Sequence, residues 1–139
     1  GCLRSALDGL AAIGAPETPL DLVALSNHDS PRVRSSLALL AAGIMSPSGA
    51  MVLQHLAADS EPAVRESAAL AIGQRRRADL IEILTMLISD RVWSVRFRAA
   101  QALAELGPPG RAILRHLPEP SPATARIVEE VLYASGSAT

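Results

Sequence analysis

The side chains able to do chemistry are few and scattered. Three histidines, His28, His55 and His116, lie far apart with no paired spacing on one helix, and the single cysteine, Cys2, has no second thiol to build a metal cage. Ser5, Ser36 and Ser67 recur every 31 residues, but no histidine or acid recurs with them to activate a hydroxyl. They read as small polar residues at helix contacts. Gly107-Pro108-Pro109-Gly110 reads as an inter-helix turn, not a phosphate-binding loop. The expectation is a non-catalytic protein with no metal and no cofactor.

A charged set does recur: Asp29, Asp59 and Asp90, followed by Arg34, Arg65 and Arg96. Carboxylates beside guanidinium groups could make an acid–base centre. Catalysis needs one such constellation, whereas a device that joins stacked repeats is needed once per repeat, so the set reads as a structural ladder. The triplet Arg75-Arg76-Arg77 occurs once. It falls at a helix end, where cations are favoured, and it also offers a basic patch to an acidic surface on a partner.

The elements that must carry these residues follow from a register. Val33-Arg34, Val64-Arg65 and Val95-Arg96 are spaced by 31, and one more step back reaches Cys2. Four positions after each start lie Ala6, Leu37, Ala68 and Ala99, and next to them Leu7, Ala38, Ala69 and Ala100. Eight positions on are Leu10, Ala41, Ile72 and Leu103, and eleven on are Ile13, Ile44, Arg75 and Leu106, where Arg75 is the misfit. Offsets of 0, 4, 8 and 11 fall on one stripe of a helix. Asp29-Ser30-Pro31, Asp59-Ser60-Glu61-Pro62 and Asp90-Arg91 are turn and helix-start signals. A second apolar helix precedes each turn, within Leu20 to Leu25, Met51 to Leu56 and Leu80 to Ile88. Each unit is thus helix, turn, helix, and none covers its apolar faces without a neighbour.

Composition agrees. Of 139 residues 49% are apolar, 19% charged and 2% aromatic, so the core is built from small aliphatics, which suits closely packed helices. Net charge is −1 and every basic residue is arginine. General polyanion binding, which needs surplus positive charge, is disfavoured. One cysteine excludes an internal disulfide, and the longest apolar run, Leu37 to Met45, is too short to cross a bilayer. The chain opens on Gly1 without an initiator Met, which suggests a segment of a longer, cytoplasmic protein. Gly1-Cys2 is similar to a processed lipoprotein end, but Cys2 also falls in a column that calls for burial.

Asp59 with Val64-Arg65 and Ala68-Ala69, and Asp90 with Val95-Arg96, Ala99-Ala100, Ala102-Leu103 and Leu106-Gly107, resemble HEAT repeats of the short kind found in phycobilisome lyases. The resemblance covers about residues 1 to 107. Departures are a first turn shorter by one residue, Gly73 inside a helix, and Arg75 in an apolar column. It implies an all-α fold, a right-handed α-solenoid. Residues 1–14 would be the second helix of a first repeat, 15–45, 46–77 and 78–107 would be repeats, and 108–139 a degenerate C-terminal capping pair. Within that pair Arg111 to Leu117 and Ala123 to Tyr133 are the expected helices, with Ile127, Val128, Val131 and Leu132 forming the apolar face.

The resemblance also implies that Asp29, Arg34, Asp59, Arg65, Asp90 and Arg96 form an inter-repeat hydrogen-bonded ladder, and that the second helices line a concave surface. Offsets 2, 6 and 9 would then floor a groove: Ser35, Leu39 and Ala42; Glu66, Leu70 and Gly73; Phe97, Gln101 and Ala104. Leu39, Leu70 and Phe97 make it apolar, with Glu66, Arg98 and Gln101 orienting a partner; packing against an adjacent repeat would explain the same residues. Trp93 sits in the turn before the third of these helices. The expected role is a scaffold module binding another protein or another domain of the parent chain. A bilin lyase or isomerase subunit is an alternative, and a nucleic-acid-binding HEAT surface is another, opposed by Glu66, Leu39 and Leu70 on the floor.

Overall fold

A computed structural model describes residues 24–135. The expected helix over 1–14, Cys2 in its column, and Leu20 and Leu22 of the next helix lie outside them. Helical residues 24–26 lead into seven helices: α1 Pro31–Ala42, α2 Pro47–Ala57, α3 Pro62–Gln74, α4 Ile81–Leu87, α5 Trp93–Glu105, α6 Pro108–Arg115 and α7 Pro122–Ala134. A 3-10 turn, Ala78–Leu80, runs into α4. Among the described residues there is no strand. Proline occupies the first turn of α1, α2, α3, α6 and α7, where its missing N–H removes no hydrogen bond.

The odd-numbered helices stack on one another, α1 on α3, α3 on α5, α5 on α7, while α2, α4 and α6 pack against the joints. The stacking surface is made of the repeating columns. Val33, Val64 and Val95, then Leu37, Ala68 and Ala99, then Ala38, Ala69 and Ala100 are all buried, and so are Ala41, Ile72 and Leu103. Alanines at these positions bring the helix axes close, and burying each larger aliphatic stabilises by roughly 1.5–3 kcal/mol. Gly73, an irregularity in the sequence pattern, has a packing cause. A Cβ there would lie 2.8 Å from the Ala102 Cβ and 2.7 Å from Glu105 Oε2, so α3 and α5 touch through their backbones.

Two expectations are corrected. The offset-9 residues Ala42 and Gly73 are buried and floor no groove, because a helix packed against its neighbours buries a wider arc than one stripe, whereas Ala104, 7% exposed, does line a groove. Of that tetrapeptide only Gly107 lies in the turn before α6, with φ 85, while Pro108, Pro109 and Gly110 are already helical. Gly110 is required there: a Cβ would fall 1.7 Å from the Leu103 carbonyl oxygen. Arg75 no longer breaks a column. It caps the C-terminus of α3 and is exposed.

Candidate functional site

The turns before α3 and α5 carry the ladder. Arg34, in the first turn of α1, reaches forward to the next repeat and donates from Nε to Asp59 Oδ2 at 2.7 Å and from Nη2 to Asp59 Oδ1 at 3.1 Å. Arg65 does the same to Asp90, at 2.8 and 3.2 Å. The third guanidinium nitrogen holds the arginine's own turn: Nη1 donates to the carbonyl of His28 in the first case, and to that of Asp59 at 2.7 Å in the second. Each arginine thereby fixes two successive turns at once. The aspartates do not cap the first helical amides as the sequence suggested. Asp59 Oδ1 accepts the Glu61 N–H and Asp90 Oδ1 that of Val92, two residues on, so each carboxylate shapes its own turn while holding the neighbouring arginine. Asp29 is exposed, and His28 Nδ1 accepts the Ser30 N–H in that first turn.

Arg96 repeats only part of this pattern. Its Nη1 donates to the Asp90 carbonyl at 2.8 Å, but its Nε is buried without a hydrogen-bond partner among the described residues.

The arginine triplet is not one patch. Arg76 has φ 52, and the Arg77 N–H reaches back to the Ile72 carbonyl while the Arg76 N–H reaches that of Gly73, a left-handed closure that reverses the chain after α3. Arg75 and Arg76 stay exposed, whereas Arg77 is turned inward and is 4% exposed. Its Nη1 donates to the carbonyls of Ala42 at 2.9 Å and Ile44 at 3.2 Å, and its Nε and Nη2 grip both oxygens of Asp79. Arg77 therefore leaves the basic patch: it terminates α1 and ties it to the chain after α3. The Arg77 hydrogen bonds hold the Asp79 carboxyl below the usual carboxylate range. Nothing in the sequence pattern marked this role, since the contact does not repeat.

On the α1–α3–α5 face Leu39 is 44% exposed, and Leu70 and Phe97 are half-buried. Glu66 accepts from Ser94 Oγ at 3.0 Å and stands 4.0 Å from Arg98 Nε, and Arg98 donates to Gln101 Oε1 at 3.3 Å. The structure thus links Glu66, Arg98 and Gln101 into one polar strip across α3 and α5. Phe97 stacks on Trp93 with ring centroids 5.2 Å apart, and Trp93, the first residue of α5, is 52% exposed.

Between α5 and α7 opens a groove of about 740 Å³, with Phe97, Gln101 and Glu105 on one side and Glu130, Val131 and Ala134 on the other. Arg76 and Arg111 also line it, so its charge is mixed. Beyond Glu130 a second depression continues past Trp93, Arg126 and Ile127 to Pro122. Sequence reasoning named Phe97, Gln101 and Ala104 but missed the α7 wall, because α7 has drifted out of the repeat pattern. Among the described residues no group of His, Cys, Asp and Glu is placed to hold a metal ion, and no helix is long and apolar enough to cross a membrane.

Helix pairs stacked in register through small-residue columns and an arginine–aspartate ladder define an all-α solenoid of short repeats. A family model of HEAT repeats matches residues 49–132, and the chain belongs to that family. The match runs through α6 and α7, so the C-terminal pair that the sequence pattern showed only in degenerate form is part of it. No curated protein matches the sequence.

Proposed function

We propose that this chain is a non-catalytic binding module and that the groove between α5 and α7 takes a segment of another protein or of another domain of its parent chain. HEAT repeats are generally protein-interaction scaffolds. The observation that carries the finer reading is the Trp93–Phe97 stack. A half-exposed indole supported by a second ring, at the edge of a groove with apolar walls and a polar rim, is the anatomy of a binding hot spot. Leu39, Leu70 and the Glu66–Arg98–Gln101 strip extend that surface towards α1. A linear tetrapyrrole would suit the volume but not the charge, since Glu105 and Glu130 offset Arg76 and Arg111.

The test is photo-crosslinking in the native host from a benzoyl-phenylalanine at position 101, compared with positions 51 and 86, whose methionines are exposed on α2 and α4. The expected product forms from position 101 and is lost with Trp93→Ala. Equal products from position 86, or a product indifferent to Trp93, would exclude the groove.

A further inference from the structure

The inner rungs of the ladder draw their carboxylate from the residue 25 positions after the arginine, Asp59 for Arg34 and Asp90 for Arg65. The residue 25 positions after Arg96 is Ser121. Ser121 does a different job from those aspartates: it is itself the N-cap of α7, its hydroxyl accepting the Thr124 N–H at 3.2 Å and donating to Thr124 Oγ1 at 3.0 Å. It has neither a second oxygen nor a charge to offer the guanidinium. Arg96 accordingly holds its own turn, while its buried Nε, the atom that meets carboxylate in both other rungs, finds no acceptor among the described residues. Buried donors of a charged group without an acceptor are rare and costly.

Arg96 lines a cavity of about 310 Å³ together with Asp90, Arg91, Glu119, Ser121 and Thr124. Asp90 is already engaged by Arg65. Glu119 is exposed, on a residue with φ 42 between two prolines.

We propose that Arg96 is a docking point for the aspartate of a turn presented by a second polypeptide, which completes the third rung from outside. The chain itself shows the required geometry twice. A planar carboxylate meets Nε and Nη2 together, and one of its oxygens also accepts an amide of its own turn. A guanidinium fork favours such bidentate pairing. The site is separate from the α5–α7 groove and does not depend on that reading.

The probe is the acetylated, amidated hexapeptide copying residues 57–62, which carries the Asp59 turn, titrated into the 139-residue chain. The readout is the Nε–Hε NMR signal of Arg96, assigned by its loss in Arg96→Lys. The peptide is expected to shift the signal saturably, and its counterpart with asparagine in place of the aspartate to bind at least about 10-fold more weakly, the loss of one charge-assisted bidentate pair. Ser121→Asp should move the signal without peptide and weaken peptide binding by a similar factor, with a melting curve showing that this variant folds. Equal binding of the two peptides overturns the proposal. So does an identical shift with inorganic phosphate at the same concentration, which would mark an adventitious ion only. A signal that moves in Glu119→Gln with no peptide present would make Glu119 the rung's own carboxylate and overturn it as well.

Discussion

The α3–α5 joint and the α5–α7 joint are built from the same plan and held by different means. Between α3 and α5 the helices meet through Ala68, Ala69, Ala99 and Ala100 and through Gly73 against Ala102, and the Arg65–Asp90 pair locks the turns. Between α5 and α7 the small-residue columns give way to the larger Ile127, Val128 and Val131, the turn caps itself through Ser121, and a groove remains open along the seam. The α3–α5 joint closes through small residues and backbone contact, whereas the α5–α7 joint covers its core layer with larger aliphatics and leaves polar groups along an open seam.

The largest effect should come from breaking the α3–α5 joint. Arg65 is 6% exposed, and Arg65→Ala would leave Asp90 without its cation and the Asp59 carbonyl without a donor, a loss of about 3–5 kcal/mol on the scale of broken buried pairs. Chemical denaturation measures it. Any partner captured by the remaining folded fraction should bind as before. Next, Gly73→Ala should cost about 1–3 kcal/mol by forcing α3 from α5, because the atoms it would meet include backbone. Arg96→Ala should cost less than about 1 kcal/mol, since only the bond to the Asp90 carbonyl is lost. A loss as large as that of Arg65→Ala would erase the distinction between the joints.

Phe97→Ala sharpens the comparison in another way. The ring is half-buried and packs against the core, so its removal should lower the melting temperature, unlike Trp93→Ala, whose indole is 52% exposed. Trp93 is the cleaner probe of binding. The smallest effect is on acid stability. The Asp79 carboxyl is held below its unfolded value, so the Arg77–Asp79 pair contributes fully above the usual carboxylate range near pH ~3.9 and is lost as pH falls through the lower folded value. Asp79→Asn should flatten the fall in melting temperature in that acid window.

The repeating parts of the molecule were legible because repetition can be counted. The 31-residue register placed the alanine columns, the helix pairs and the charged ladder without knowledge of any contact. What occurs once was not legible. Arg77 looks like its two neighbours in sequence, and only the left-handed turn at Arg76 sends it inward to the Ala42 carbonyl. Ala42 and Gly73 lie inside the stack rather than on a groove floor, because a single amphipathic stripe underestimates burial in a helix packed against several neighbours. Ser121 could have been found by carrying the 25-residue Arg-to-Asp spacing one step further, but that spacing is inter-repeat and differs from the period that revealed the fold.

Arg77 also bears on elasticity. The ladder pins the helices at the N-terminal ends of α1, α3 and α5, whereas Arg77 pins the opposite edge, where α1 ends. Its counterpart one period later is Pro108, which has no side-chain donor, so the α3–α5 seam relies there on the van der Waals fit of Gly73 to Ala102. Dispersion contact weakens steeply with a small separation. Bent away from the ladder edge, the stack therefore behaves as a stiff first joint followed by a compliant second one, and tension would open the α3–α5 seam at its C-terminal end before it disturbed α1.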